Sequence, residues 1–570
     1  MSFTFDLRTI PFSRYGSFLT ISYLPASNDR PEGLYLRTVR GGDESSGAAF
    51  LIELVDGTET VAFSADATPT KLRLTADAGY ADFCISDAHT MRCRTAGVGV
   101  RLTLSGGHYD YALQREAQRW EVNSFLNEVR FMVTASQGDI QMDAPWVRTR
   151  CTYVKPHFVP EQSSGVAEFA MEEYRTTWKE RKAVETFDEF EHRMAAEYDT
   201  WLRDTLTVPA PLEPGRDLAA YITWSAVVPR GGCLTRPAMY MSKNWMTNIW
   251  SWDHCFNAMA LIRSNPELAW DQFMIFFDRQ DESGLLPDFV NDKYELWNCN
   301  KPPIHGWTLA WMMERSDWIG DQQLREIYEP LARWTRWWYN DRDDDRDGVP
   351  QYNHGNDSGW DNSTIFHERG AVESPDLCAY LVLQCEALAT IADRLNRPHE
   401  AGEWKALAQS TLDRMLSHFW QDGRMRAVRS GTHERLGGES LIVLMPIILG
   451  HRLPQGVLEA LIAELSDEAK FFSPNGFATE SLSSPHYEPD GYWRGPIWAP
   501  VMMLLVDGLA NSGYTELASE AARRFCHMAN ISGMAENFDA VSGKGLRDRA
   551  FTWTSSVYLM LAHEYVKELH

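Results

Sequence analysis

The chain has 570 residues, with 54 Lys+Arg against 79 Asp+Glu and therefore a formal net charge of −25. A hydrophobic share of 44 % and a charged share of 23 % are typical of globular proteins and exclude a disordered chain or a small disulfide scaffold. The acidic balance offers no basic face for phosphates, so we expect neither a nucleic acid nor an anionic membrane as partner.

Residues 1–160 have the pattern of a β-sandwich. Short runs rich in β-branched and aromatic residues, such as Phe18–Leu24 and Val98–Leu104, are separated by turn signals such as Asp56–Gly57. Many short strands at this spacing predict an N-terminal antiparallel β-sandwich domain. The first residues show no charged start followed by an apolar run, and no apolar stretch is long enough to cross a membrane. We therefore expect a cytoplasmic protein.

The nine cysteines are scattered and odd in number, and none follows a CxxC or CxxH spacing. This distribution agrees with a reducing compartment and gives no sign of a zinc site.

The next two regions change to a helical pattern. Residues 161–210 are charged, and Val166–Leu202 carries apolar residues at helical intervals without proline, which predicts a helical linker of one or two helices. Residues 211–570 contain about a dozen further helical segments joined by polar loops. Twelve antiparallel helices can close as six pairs, so we predict an all-α (α/α)₆ barrel catalytic domain whose loops form a funnel suited to a sugar.

Four loop segments of this region carry residues suited to chemistry. They are 244–254 with Trp252 and Asp253, 353–363 with Trp360 and Asp361, 492–498 with Trp493 and Arg494, and 534–545 with Glu536. Each has a structural alternative. Asp253 can cap a helix, the acids of 353–363 can form Asx turns, and Arg494 can form an ion pair.

Glycoside hydrolysis needs two carboxyl groups in different states. One donates a proton to the leaving oxygen, and the other, ionised, activates water or attacks carbon. Asp361 and Glu536 are 175 residues apart and can meet only if the helical region closes on itself. Because 79 acidic residues compete, spacing alone does not select this pair.

Several blocks, in order, resemble glycoside hydrolase family 63 and the related trehalases of family 37. They are NIWSWDHCF (248–256), SGWDNS (358–363), YWRGPIW (492–498), ENFD (536–539) and FTWTSS (551–556). The resemblance covers about residues 245–556 and implies an inverting α-glycosidase on an (α/α)₆ barrel.

The resemblance also implies roles for individual residues. Asp361 corresponds to the general acid and Glu536 to the general base, with carboxyl groups about 6.5–9.5 Å apart in an inverting enzyme. Trp493 and Arg494 should line the −1 sugar subsite, and Asp253 should hold sugar hydroxyls. Trp252, Trp360 and Trp553 are expected as stacking or wall residues.

An acidic run, residues 341–348, matches the first half of a calcium-binding EF-hand loop at Asp343, Asp345, Asp347 and Gly348. The twelfth position is His354 instead of the bidentate Glu, so a solvated acidic turn is the alternative. The reaction itself requires no cofactor, and calcium remains a hypothesis. His305, after two prolines, is expected to begin a helix.

The sequence thus predicts an exo-acting, inverting α-glycosidase for α-glucosides or related small α-linked glycosides. The alternatives are an (α/α)₆ phosphorylase, a polysaccharide lyase and a non-catalytic carbohydrate-binding protein. Lys243, Lys301 and Arg549 are candidate contacts for a charged aglycone, although cations near acids more often form ion pairs. The exact sugar and the oligomeric state stay open.

Overall fold

The computed structural model describes residues 3–28, 30–43, 45–180 and 185–566. The chain divides into two compact units. The first comprises residues 1–204, 220–230 and 242–248, and the second comprises residues 205–219, 231–241 and 249–570.

The first unit contains two eight-stranded antiparallel sheets. The strands described before residue 175 are β1 Phe12–Ser13, β2 Leu19–Leu24, β3 Gly33–Thr38, β4 Ala48–Asp56, β5 Glu59–Val61, β6 Ser64–Ala67, β7 Leu72–Ala76, β8 Gly79–Ile85, β9 Thr90–Ala96, β10 Gly99–Ser105, β11 Tyr111–Glu116, β12 Arg119–Ser124, β13 Val129–Gln137, β14 Asp139–Asp143, β15 Trp146–Val147, β16 Arg150–Cys151, β17 Tyr153–Val159 and β18 Val166–Tyr174.

The two sheets share one apolar core, as a sandwich requires. One sheet runs β1-β2-β3-β4-β10-β17-β14 with β5 beside β4, and the other runs β11-β12-β13-β18-β9-β8-β7-β6. Across the core, the Phe158 and Phe169 rings stack with centroids 3.5 Å apart. The predicted N-terminal β-sandwich is therefore present.

The helix predicted from Val166 is wrong in its first part. Val166–Tyr174 is a strand whose residues alternate between half-buried and buried, and it pairs with β9 and β13. Its period of two lets Phe169 and Met171 enter the core, and this burial outweighs the charged, helix-like composition. The sheet thus continues past the predicted boundary at residue 160, and the described residues of the predicted linker contain the helix α1 (Phe187–Asp204).

Most other helices belong to the second unit. They are α2 Glu213–Ala226, which runs into the first unit, α3 Asp253–Leu261, α4 Pro266–Met274, α5 His305–Arg315, α6 Asp321–Asp341, α7 Pro375–Arg394, α8 Pro398–Phe419, α9 Gln455–Leu465, α10 Ala499–Asn511, α11 Thr515–Ser532 and α12 Thr552–Glu564. The 3₁₀ segments are Ala210–Leu212, Phe277–Arg279, Gly355–Ser358, Thr364–Phe366 and Leu441–Arg452.

Two-residue strands border the loops between these helices. They are Val227–Val228, Ala238–Met239, Ile249–Trp250, Phe289–Val290, Glu295–Leu296, Gln351–Tyr352, Val372–Glu373, Trp420–Gln421, Arg424–Met425, Val428–Arg429, Phe472–Ser473, Gly476–Phe477, Asn537–Phe538 and Gly545–Leu546.

Six of the helical elements close into a ring. In order around the ring they are α3, α5, α7, the 3₁₀ segment Leu441–Arg452, α10 and α12. Each element contacts the next, and α12 contacts α3. These inner elements are buried nearly all round. In α12, for example, every residue from Thr552 to Ala562 is buried. Outer helices such as α6 have one apolar face only, as expected of a helix that covers a core.

The second unit therefore has the predicted (α/α)₆ arrangement, but the chain as a whole is not all-α. Helix α7 is the single helix in the described residues that is long and apolar enough to cross a membrane, and 89 % of its apolar window is buried inside the structure. Its place in the inner ring accounts for its composition.

Candidate active site

The candidate site lies in the loops that precede the inner elements. Asp253 begins α3, Lys301 comes just before α5, Asp361 before α7, Tyr492 before α10, and Glu536 before α12. Because alternate helices of an antiparallel array point the same way, these loops gather at one end of the ring. The positive ends of the helix dipoles also lie there, and they favour acidic side chains.

The loop of Asp361 is shaped by two glycines. Gly359 has a φ of 72°, and a Cβ at this position would lie 2.6 Å from the Trp252 ring. A Cβ on Gly355 would lie 2.1 Å from the Asp361 carbonyl oxygen. Asn362 then joins this loop to the next one, since its side chain accepts a hydrogen bond from Trp493 N (2.9 Å) and donates one to the Gly491 carbonyl (3.0 Å).

Glu536 is held by its backbone and buried. Its N–H donates to the Asp548 carbonyl at 2.8 Å, and the following strand, Asn537–Phe538, pairs with Gly545–Leu546. Only 4 % of Glu536 is exposed. Burial, with the nearby Asp548 carboxylate, raises the pKa of Glu536 to about 8, while Arg547 opposes that rise.

The two predicted catalytic carboxyl groups interact electrostatically. The charge of Asp361 contributes to the raised pKa of Glu536. Burial also raises the pKa of Asp361, whereas the Lys301 ammonium and a hydrogen bond from Tyr492 lower it. Both carboxyl groups thus have raised pKa values, and their like charges disfavour ionising both at once.

Lys301 is a buried cation among acids. Its Nζ lies 2.7 Å from Asp288 Oδ1 and 2.6 Å from Asn356 Oδ1. Its charge also acts on Asp361 and on Asp253, whose pKa burial raises well above the usual range. Asp253 Oδ2 is buried without a hydrogen-bond partner in the structure, as suits an acceptor for a substrate hydroxyl.

The predicted tryptophans form one buried cluster. Trp252, Trp360, Trp493 and Trp553 are 1–4 % exposed. Trp493 stacks on Trp498 with centroids 3.9 Å apart and also contacts Trp252 and Trp360. The rings are thus packed against one another, and their role as stacking or wall residues for a sugar stays a prediction.

The basic residues divide between the site and its surroundings. Arg494 pairs with Glu488 at 2.9 Å, and its side chain is 22 % exposed. The guanidinium whose charge acts on Glu536 is that of Arg547, which lies 4.7 Å from the Tyr492 ring centroid and pairs with Asp490. No sequence pattern pointed to Asp288, Arg547 or Asp548. For Arg547 and Asp548, the sequence signal that could have found them is the pair of arginines, Arg547 and Arg549, just before the FTWTSS block.

The remaining basic candidates have structural contacts. Lys243 is buried in the first unit, where its Nζ donates to the Ser17 carbonyl at 2.6 Å. Arg549 donates to the Ser532 carbonyl. His305 begins α5, as expected, and is fully buried.

The acidic run forms a tight turn. One oxygen from each of Asp343, Asp345 and Asp347 lies within 4.8 Å of the others. Calcium at these residues stays a hypothesis. All nine cysteines are free thiols.

Comparison with known proteins identifies relatives of the second unit. The family model for the "Mannosylglycerate hydrolase MGH1-like glycoside hydrolase domain" matches residues 246–554. Mannosylglycerate hydrolase of Thermus thermophilus is 22 % identical over 397 residues, which cover 54 % of this chain and 93 % of that protein. Glucosylglycerate hydrolase of Mycolicibacterium hassiacum is 22 % identical over 413 residues, which cover 55 % of this chain and 91 % of that protein.

Solved structures agree on the fold. A GH63 mannosylglycerate hydrolase of Thermus thermophilus in complex with Tris and D-glycerate has a TM-score of 0.53 at 19 % identity, and the match covers 61 % of this chain and 99 % of that one. A bacterial glucoamylase complexed with acarbose has a TM-score of 0.62 at 12 % identity, and the match covers 98 % of this chain and 94 % of that one. At these identities the similarity shows the fold alone.

Proposed function

The chain belongs to the glycoside hydrolase family of mannosylglycerate hydrolase MGH1-like domains, within family 63, and on that premise we propose that it is an inverting α-glycosidase in which Asp361 is the acid and Glu536 the base. The observation that carries the proposal is that the buried Glu536 and the half-buried Asp361, from loops 175 residues apart, lie in one electrostatically coupled site.

In the proposed reaction, Asp361 gives its proton to the glycosidic oxygen as the bond to the anomeric carbon breaks. Glu536 takes a proton from a water molecule, and the water oxygen attacks the anomeric carbon from the opposite face. The products are the free aglycone and a sugar of inverted anomeric configuration. No covalent enzyme intermediate forms, and this mechanism needs no cofactor at the reacting atoms.

The roles require the proton of the pair on Asp361. Burial raises the pKa of both carboxyl groups, so the free site favours a state that keeps one proton on the pair over one that keeps none. A glycosidic oxygen facing Asp361 stabilises its protonated form by accepting a hydrogen bond. A nucleophilic water at Glu536 in turn stabilises the ionised carboxylate by donating one. Substrate binding thus selects the productive tautomer.

For the substrate we propose an α-hexosyl glycerate or a similar α-glycoside with a carboxylate on its aglycone. The support is that the relatives above are named for mannosylglycerate and glucosylglycerate. A partly exposed guanidinium group beside the Tyr492 ring, that of Arg547, supplies a cation for such a carboxylate. Neutral α-glucosides are the second substrate class to test.

The test compares Asp361→Asn with Glu536→Gln on two kinds of substrate. With α-mannosyl and α-glucosyl glycerate, both variants should lose about 10²–10⁴-fold in kcat/KM. With an α-glycosyl fluoride, which needs no proton on its leaving group, Asp361→Asn should recover most of the activity and Glu536→Gln should not. Recovery in Glu536→Gln alone would show that Glu536 is the acid and Asp361 the base. Wild-type activity in either variant would refute the proposal.

The same reactions separate the other enzyme classes. Proton NMR of the first product formed should show the inverted anomer. A phosphorylase would need added inorganic phosphate and release a sugar phosphate. A lyase would release an unsaturated product that absorbs in the ultraviolet. Saturable binding of all substrates without turnover would indicate a carbohydrate-binding protein.

A further inference from the structure

A second group of chemically active side chains lies outside the catalytic pair. One ligand atom from each of Asp347, Glu373, His418 and His433 lies within 4.8 Å of all the others. We call these four residues the imidazole–carboxylate cluster. Its members come from the acidic run, from strand Val372–Glu373, from the end of α8 and from the loop after Val428–Arg429. Sequence patterns do not reveal it because the ligands are far apart in the chain and include no cysteine.

The distances within the cluster suit the shell of one metal ion. His433 Nε2 lies 3.5 Å from Asp347 Oδ2 and 3.9 Å from Glu373 Oε2. His418 Nε2 lies 2.6 Å from Glu373 Oε2. Ligand atoms about 2.0–2.2 Å from a tetrahedral ion are about 3.3–3.6 Å from one another. Of these three separations, one lies within that range, one above it and one below it, so side-chain shifts of less than about 1 Å would place an ion.

An independent observation points to a missing ligand. Glu373 is completely buried, yet its Oε1 atom has no hydrogen-bond partner in the structure. A buried carboxylate with an unpaired oxygen is costly unless a cation or donor satisfies it. The side chain of His433 is 45 % exposed, which leaves an ion a route from solvent.

The donor set indicates which ion fits. Two imidazole nitrogens and two carboxylate oxygens suit zinc and its neighbours among the transition metals. Calcium takes six to eight oxygen ligands, and imidazole is a poor substitute. The acidic turn beside the cluster, Asp343 and Asp345, offers oxygens alone; it shares Asp347 with the cluster, and Asp345 Oδ2 lies 3.0 Å from His433 Nε2.

The position of the cluster connects it with catalysis. Strands Gln351–Tyr352 and Val372–Glu373 pair with each other, and the segment between them carries Asp361. Glu373 belongs to one strand of this pair, and Asp347 comes just before the other. We propose that the imidazole–carboxylate cluster binds one zinc-like divalent ion, which fixes the base of the Asp361 loop.

Calorimetric titration tests the proposal directly. The full-length protein is treated with EDTA, desalted and titrated with zinc chloride and, separately, with calcium chloride. We expect one zinc ion per chain with a Kd at or below about 1 μM. In His433→Ala zinc should bind at least about 100-fold more weakly. The control is His399→Ala, whose imidazole lies 3.6 Å from Glu403 on the exposed surface and should bind as the wild type does.

A spectroscopic readout avoids dependence on activity or stability. Cobalt(II) added to the stripped protein should give visible d–d absorption of a four-coordinate nitrogen–oxygen site, which zinc displaces and His433→Ala abolishes. Absence of stoichiometric zinc binding would overturn the proposal, as would zinc binding unchanged in His433→Ala. Calcium binding that survives His433→Ala and displaces zinc would assign the ion to the acidic turn instead, and would also overturn it.

Discussion

The Lys301 ammonium and the Asp288 carboxylate form a 2.7 Å ion pair in which both residues are almost fully buried. Asp361 lies near enough for Lys301 to lower its pKa and for Asp361 to raise the pKa of Lys301. The sequence marked Lys301 as a possible contact for an aglycone. The structure makes it the cation that balances the acids around the predicted proton donor.

Replacing this cation should narrow the pH range of activity. In Lys301→Met, Asp288 loses its partner, so we expect a loss of about 3–5 kcal/mol in the free energy of unfolding. The pKa of Asp361 should rise because Lys301 lowers it in the native protein. The acid limb of the kcat/KM profile should therefore move to higher pH.

Lys243→Met provides the control for that experiment, because Lys243 is equally buried but belongs to the first unit. It should lower stability and leave both limbs of the profile in place. An unchanged acid limb in Lys301→Met would contradict the assigned electrostatic role.

The wild-type enzyme should lose activity above about pH 8. The pKa of Glu536 is raised to about 8, so the Asp361–Glu536 pair keeps its single proton up to that pH and is fully ionised above it. Asp548 contributes to the rise, so Asp548→Asn should move the alkaline limb to lower pH. Profiles of kcat/KM between about pH 4 and 10 measure both effects, and a limb that stays in place in Asp548→Asn would disprove the assignment.

The variant Arg494→Gln tests whether Arg494 binds the sugar or serves only in an ion pair. A partly exposed pair such as Arg494–Glu488 contributes at most about 1 kcal/mol to stability, so the melting temperature should change little. If Arg494 binds the sugar of the −1 subsite, kcat/KM should fall about 10²–10³-fold.

Arg435→Gln, which breaks the exposed pair with Asp422, is the matched control and should keep full activity. If Arg494→Gln has activity close to that of the wild type, Arg494 has a structural role and does not bind the sugar.

Gly359→Ala should damage both the fold and the catalytic loop. The added Cβ would lie 2.6 Å from the Trp252 ring, and the φ of 72° disfavours alanine. We expect a loss of at least about 1–3 kcal/mol in stability, with reduced kcat because Asp361 follows two residues later. Gly402→Ala, in α8 with nothing within 4 Å, should instead stabilise by about 0.5–1 kcal/mol. Thermal unfolding and initial rates distinguish the two, and equal stability changes would contradict this account.

The sequence alone determined much of this protein. Short strands with turn signals predicted the sandwich, and apolar periodicity predicted about a dozen helical segments after residue 211, because both patterns are local. The ordered blocks around Asp361, Trp493 and Glu536 predicted the family, which the family model confirms. The segment Val166–Tyr174 was wrongly predicted as helix because its charged residues resemble those of an exposed helix. It is a strand because it pairs with β9 and β13, and these partners are far away in the sequence.

Only the tertiary structure decided which charges meet. Closing the ring brings Lys301, Asp288 and Arg547 to the two acids and gathers His418 and His433 around Glu373. Electrostatic coupling and metal coordination act over a few ångströms in space, so residues scattered along 570 positions show no sign of either until the helices are assembled.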